Sequence, residues 1–213
     1  MDYIKRISGV RFPPTSFIDI NMMPFVIGDG DSLPNEYQHY WPLIDACGIE
    51  DDERGAVGYL TITESDVSPQ RSQRRPGVHT DGHGPLGGWG GGWGAGLTVG
   101  NERRQGIYLA TTAPRSCRAW NIAIKEPGAM GDCCNMDLPA HAIYLDAHTL
   151  YWITDHCPHE SLPLEVAMHR QFFRVVTSRV SKWYAAHSTP NRLGIQPTAH
   201  IVADNKFSSG RRA

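Results

Sequence analysis

The sequence predicts a mainly β domain, a sandwich or squashed barrel, with helical pattern confined to its N-terminal part. Three observations predict it. Short apolar stretches rich in β-branched and aromatic residues recur along the chain, Gly, Pro and Asn turns separate them, and a helical spacing of apolar residues shows only near the N-terminus. A length of 213 residues fits one domain better than two. Its core is expected over about 56–186, followed by an irregular C-terminal tail from 187 to 213.

Taken in order, residues 37–49 (YQHYWPLIDACGI) read as a helix, with Trp41, Ile44 and Ala46 or Cys47 near helical spacing and Pro42 in the first turn. The acidic run 50–54 is a solvated turn. Residues 56–65 (AVGYLTITES) alternate in polarity and read as a strand. A turn-rich stretch then leads to His79-Thr80-Asp81. Residues 82–96 hold nine glycines and can form no regular structure. Further strands are expected at 106–113, 117–124, 150–155 and 171–186, and the tail from Ser188 is expected to lie over the surface.

Composition narrows the function. At 40% hydrophobic and 20% charged residues the chain can bury an ordinary core and is no disordered segment. A formal charge of −2 offers no basic footprint for nucleic acid and no polybasic patch for a membrane surface. No apolar run approaches the length of a spanning helix, and residues 1–14 lack the apolar stretch of a secretory signal, so a cytoplasmic location is the expectation. The five cysteines are odd in number, include the adjacent pair Cys133-Cys134 and show no CxxC spacing, which argues against a disulfide framework and a structural zinc site.

The ten histidines are where chemistry starts. On a strand, residues i and i+2 point to one face, so His79 and Asp81 project an imidazole and a carboxylate toward one point. That pair supplies two ligands of a 2-His-1-carboxylate facial triad, the set that binds Fe(II) and leaves positions open. An HxD tripeptide alone is equally a surface turn, since Asp81-Gly82 follows directly.

A second segment adds to it. A strand at 150–155 leads through a turn into His159-Glu160-Ser161-Leu162-Pro163, and Arg170 follows eleven residues after His159. This order, HxD, then strand, turn, H-x-x-x-P and a basic residue, resembles the 2-oxoglutarate/Fe(II) dioxygenase superfamily over residues 70–180. The resemblance implies a double-stranded β-helix of the jelly-roll or cupin-like kind, flanked by an N-terminal helix. It implies that His79, Asp81 and His159 hold Fe(II) and that Arg170 anchors the far carboxylate of 2-oxoglutarate. The reaction it implies is oxidation of a C–H bond in a small-molecule substrate, by hydroxylation, desaturation or ring formation, with release of succinate and CO2. An arginine suits the anchor because its planar fork makes two charge-assisted bonds to a carboxylate. The family's Arg-x-Ser is absent, since Gln171 and Phe172 follow Arg170.

Several residues compete for these roles. His156 is the rival distal ligand but belongs to the turn; His83 lies in the glycine-rich loop, off any strand. Arg174 shares a face with Arg170 by period two and is a second candidate for cosubstrate binding, although it lies further along the strand and away from the metal. Arg74 and Arg75 read as a solvated or salt-bridged pair rather than an anion clamp. The loop bearing Trp89 and Trp93 is either a lid over the site or an insertion without a role. A cupin-type isomerase or dioxygenase that uses no 2-oxoglutarate is the alternative function, though such proteins carry more histidines at HxH spacing.

Overall fold

A computed structural model of the chain describes residues 2–81, 97–99, 102–104, 106–128, 131–178 and 180–203. The fold is mainly β, as expected. A six-stranded antiparallel sheet has the order β1-β9-β6-β11-β3-β2. Its strands are β1 (Ile4–Gly9), β2 (Asp19–Val26), β3 (Val57–Val67), β6 (Gly106–Thr111), β9 (Thr149–Thr154) and β11 (Met168–Val176). A three-stranded sheet joins β10 (His159–Ser161), β7 (Cys117–Ala119) and β8 (Ile143–Tyr144). Two short pairs complete the described strands: β4 (Leu97–Val99) with β5 (Glu102–Arg104), and β12 (Lys182–Tyr184) with β13 (His200–Val202), the latter parallel.

Alternation along the large sheet divides the core in two. Leu60, Ile62, Tyr108, Ala110, Leu150, Trp152, Phe173 and Val175 face one cluster, where Leu33, Tyr40, Leu43 and Ile44 from the N-terminal part cover them. Their neighbours Tyr59, Ile107, Leu109, Tyr151, Ile153, Phe172 and Val176 face a second cluster with Cys117, Ala119 and Leu145. Both faces of the sheet are therefore buried, which is why β6 and β9 read as continuous apolar runs rather than as half-polar strands. The second face is the one that carries the site.

The helix expected over 37–49 is shorter and tighter than its pattern suggests. Residues Asn35–Tyr40 form a 3-10 turn and only Trp41–Asp45, here α1, is α-helical, with Pro42 in its first turn as anticipated. Proline fits the start of a helix because its missing N–H is unpaired there anyway. The N-terminal segment also supplies β1 and β2, which the sequence pattern does not reveal. Both are edge strands, and Pro24 is tolerated in β2 because an edge leaves N–H groups unpaired. A register shift between Ile20 and Met23 bulges β2 and re-aims Asn21, with Met22 at a φ of 50°.

Two further expected strands are trimmed. The 117–124 strand ends at Ala119, and 171–186 divides into β11, which begins earlier at Met168, and β12. After His187 the chain is irregular until β13, and Asn191 is buried, its amide donating to Pro24 O and Ser32 O at 2.8 Å each. No described helix is long and apolar enough to cross a membrane. All five cysteines are free thiols.

One buried carboxylate ties the N-terminal segment to the sheet. Glu64 on β3 accepts the Tyr40 hydroxyl at 2.6 Å, the Gln171 amide at 3.0 Å and the backbone N–H groups of Ser16 and Ile18 at 2.7 and 3.0 Å. Burial alone would raise its pKa, but these donors outweigh burial and hold it down to about 2. A carboxylate with a depressed folded pKa stabilises above its unfolded value and loses that contribution as pH falls through the folded one. Chemical denaturation between pH 5 and 2 should therefore show a fall in stability that Glu64→Gln flattens, at a cost near neutrality of about 1–3 kcal/mol. A pH profile identical in the variant would show that Glu64 carries none of the acid sensitivity.

Candidate metal centre

His79 sits between two backbone partners. Its N–H donates to His159 O at 2.9 Å, the His159 N–H returns the bond to His79 O at 2.9 Å, and on the other side His79 bridges Asp132. The segment around His79 thus lies beside β10 as a further strand-like piece, although no named strand includes it. Gly131, at a φ of 78°, allows the close approach on that side: its carbonyl accepts the Thr80 N–H at 2.9 Å, and a Cβ there would overlap the Thr80 carbonyl oxygen.

This pairing brings the expected triad together. His79, Asp81 and His159 each offer one ligand atom, and these atoms lie within 4.8 Å of one another. The imidazole centroids are 4.7 Å apart, and His159 Nε2 is 3.7 Å from Asp81 Oδ2. Both rings are set in one tautomer. His79 Nδ1 lies 2.7 Å from Gly77 O and His159 Nδ1 lies 3.0 Å from Cys157 O. A carbonyl can only accept, so each Nδ1 carries the proton and each Nε2 presents its lone pair. This is the outer support that histidine ligands of metal ions ordinarily have.

Electrostatics agrees with that assignment. Burial, then the adjacent His159, pushes the His79 pKa down to about 3, against the opposing effect of Asp81. His79 is therefore neutral at physiological pH, the state in which imidazole binds a metal. The donor set of two neutral imidazoles and one carboxylate is that of a 2-His-1-carboxylate site, and the residues present fit a divalent transition metal.

His156 is not part of the group. Its Nδ1 lies 3.1 Å from Ile124 O, in the turn before β10. The glycine-rich stretch, with His83, Trp89 and Trp93, lies outside the described residues.

The triad opens into a cavity of about 740 Å³ with an apolar wall that includes Ile107, Leu109, Ile153 and Phe172. A shallower depression of about 440 Å³, lined by Arg118, Trp120 and the stretch Met136–Ala142, brings together no group of metal-ligating side chains among the described residues.

Arg74, Arg75 and Arg174 line the cavity and Arg170 lies behind its wall, and the placement of Arg174 corrects one expectation. Arg174 does not point away from the metal: its Nη1 is 3.9 Å from Asp81 Oδ2 and its Nη2 donates to Thr61 Oγ1 at 3.3 Å. Arg170 is fully buried. Its Nε donates to Thr111 Oγ1 at 2.9 Å, while Nη1 and Nη2 reach only Ser161 Oγ and Cys117 Sγ, both at 3.3 Å. Ser161 and Cys117 themselves line the cavity. Arg74, expected to be solvated or salt-bridged, instead lines the cavity, with its Cζ 5.3 Å from the Phe172 ring centroid.

The partners of Arg170 went unidentified in the sequence for lack of an Arg-x-Ser. Ser161 could have been found: it lies two residues after His159 on one strand and so shares its face. Thr111 and Cys117 come from β6 and β7, and no local signal marks them. No protein-family model matches the sequence, and no curated protein matches it significantly.

Proposed function

We propose that the protein is an Fe(II)- and 2-oxoglutarate-dependent oxygenase that oxidises a C–H bond of a small molecule. The observation that carries this reading is Arg170. A fully buried guanidinium has no carboxylate within ion-pairing distance among the described residues, yet it contacts two side chains that line the cavity of the triad. A buried charge without a counter-ion is costly, so the site asks for an anionic ligand at that point.

The strand pairing supports the fold that goes with this function. Beginning at β3, the chain visits the large sheet, the His79 segment, β6, then β7 and β8, then β9, β10 and β11. The pairs are β3 with β11, the His79 segment with β10, β6 with β9, and β7 with β8. First pairs with eighth, second with seventh, third with sixth and fourth with fifth, which is the nested pairing of a double-stranded β-helix. On this reading β10 and the His79 segment carry the metal ligands, and β11 carries the cosubstrate anchor.

In this scheme His79, Asp81 and His159 would hold the iron, and the cavity they open into would take its other ligands. Bound together, iron and 2-oxoglutarate would supply the oxidising power, the oxidation of the substrate being matched by reduction of O2 and conversion of the 2-oxo acid to succinate and CO2. Arg170 fixes the far carboxylate, and Thr111 holds the guanidinium from behind. Arg174 braces the Asp81 carboxylate, keeping it aimed with the two imidazoles. The apolar wall excludes water from the reacting substrate carbon.

The test is anaerobic. Purified protein given Fe(II) and 2-oxoglutarate should develop a weak visible charge-transfer band absent with either alone, and on exposure to O2 should release succinate. A protein that binds Fe(II) tightly but gives no band, and whose metal affinity is indifferent to 2-oxoglutarate, belongs to the cosubstrate-free cupin alternative.

A further inference from the structure

Arg74 is a cavity-lining cation to which the roles above assign nothing. Its side chain is partly buried and lines the cavity, and among the described residues its hydrogen bonds are long ones, to Thr63 Oγ1 at 3.4 Å and Asn21 Oδ1 at 3.5 Å. Among the described residues no carboxylate lies within ion-pairing distance of it. The charges of Asp81 and Asp19 reach it without pairing; Asp81 is engaged by Arg174 and His159, and Glu160, the other acid lining the cavity, pairs with Arg118. Burial, then the neighbouring Arg174, pushes the Arg74 guanidinium down to about 10, against the opposing charges of Asp81 and Asp19.

The surroundings hold Arg74 in place without satisfying it. Asn21, within the β2 bulge, donates its amide to His187 O at 2.7 Å, which leaves its Oδ1 to accept from Arg74. Phe172 lies 5.3 Å from the Arg74 Cζ and 5.5 Å from the Arg170 Cζ, so one ring serves two guanidinium groups. With Arg170 assigned to the cosubstrate, a second anion is needed for Arg74. Ile107, Leu109 and Ile153 of the large sheet supply a hydrocarbon stretch of the cavity wall.

We propose that the substrate is an organic carboxylate with an apolar body, its carboxylate held by Arg74 and its hydrocarbon part lying along Ile107, Leu109 and Ile153 toward the triad. This rests on the oxygenase reading for the word substrate, but not for the binding itself. The guanidinium fork matches a carboxylate in two parallel bonds, and the cavity has room for a small molecule beside the cosubstrate. A neutral amide of the same shape would leave the charge unmet.

Ligand-observed NMR on the protein loaded with diamagnetic Zn(II) in place of iron and saturated with 2-oxoglutarate tests this with four probes: hexanoate, phenylacetate, hexanamide and phenylacetamide. The acids should bind and the amides should be weaker by about ten- to a hundred-fold. Arg74→Met, which keeps the bulk, should remove the preference for acids, and Arg74→Lys should restore part of it. The affinity for 2-oxoglutarate should be unchanged in both. Equal binding of acids and amides, an unaltered preference in Arg74→Met, or no binding of either acid would overturn the proposal. Loss of 2-oxoglutarate together with the acids in Arg74→Met would make Arg74 the cosubstrate anchor and overturn it too. If instead wild-type protein ignores 2-oxoglutarate yet selects acids through Arg74, the oxygenase reading fails and the carboxylate site stands.

Discussion

His159→Ala abolishes tight iron binding while leaving a folded protein, and His79→Ala and Asp81→Ala do the same. Removing a residue that merely supports a ligand costs about 10–100-fold in metal affinity, so removing one of three ligands costs more than that. The fold survives in His159→Ala because β10 pairs with the His79 segment through backbone bonds, His79 N–H to His159 O and the reverse, which an alanine retains. His79→Ala is the harsher change, since His79 is the most buried of the three and its ring is packed against that of His159. The control is His156→Ala, whose ring is engaged with Ile124 O in the turn. Calorimetric titration with Fe(II) under argon separates them, and melting curves provide a second reading. A metal at a hundred times its Kd raises stability by about 2.7 kcal/mol, a shift that the ligand variants should lose and His156→Ala should keep. The reverse pattern, with His156→Ala losing metal and His159→Ala keeping it, would reassign the distal ligand.

The triad was legible in the sequence because each part of it is local. His79 and Asp81 are related by a strand's period of two, and His159 stands at the start of a short strand after a turn. What the sequence could not show is what holds them together. The pairing of the His79 segment with β10 spans the glycine-rich stretch and six strands, β4 to β9, and nothing in either segment alone specifies that register. Strand assignment succeeded where both faces of the large sheet are buried, since β6 and β9 are then unbroken apolar runs. It failed for β1 and β2. β1 reads IKRISG, too polar to stand out, because it is an edge strand with partly exposed positions. β2 contains Pro24 and a bulge, both of which break the alternation that marks a strand.

The arginines illustrate a different limit. Period two correctly puts Arg170, Phe172 and Arg174 on one face of β11, but it carries no information on the direction in which long side chains extend. Arg174 reaches Asp81 rather than leaving the site, and Arg74 enters the cavity from a turn-rich stretch where no periodicity applies. Adjacent charges such as Arg74-Arg75 look solvated in sequence because only the fold shows that a cavity lies on one side of them.

Arg170→Ala lowers the affinity for 2-oxoglutarate by about two to three and a half orders of magnitude, from a cost of about 3–5 kcal/mol when one side of a buried ion pair is removed. The size of the effect follows from burial: Arg170 has no solvent exposure, so a carboxylate brought to it is stripped of water and depends on the guanidinium. The contacts it would replace are weak ones, Ser161 and Cys117 at 3.3 Å, whereas the 2.9 Å bond from Nε to Thr111 can persist and keep the fork aimed. Arg170→Lys should recover part of the loss, restoring charge but not the paired donors. Arg174→Ala should act elsewhere. Its guanidinium contacts Asp81 and Thr61, so its removal loosens a metal ligand and should weaken Fe(II) binding by about tenfold, the scale of a supporting residue. At saturating Fe(II), its 2-oxoglutarate Kd should stay close to the wild-type value. Anaerobic titrations of both ligands against both variants therefore give crossed results, cosubstrate lost in one and metal weakened in the other. A large 2-oxoglutarate loss in Arg174→Ala with little in Arg170→Ala would move the anchor by four residues along β11. Indifference of both to 2-oxoglutarate would leave Arg170 as a buried cation held by Thr111, Ser161 and Cys117 alone, and would remove the main support for a 2-oxo acid cosubstrate.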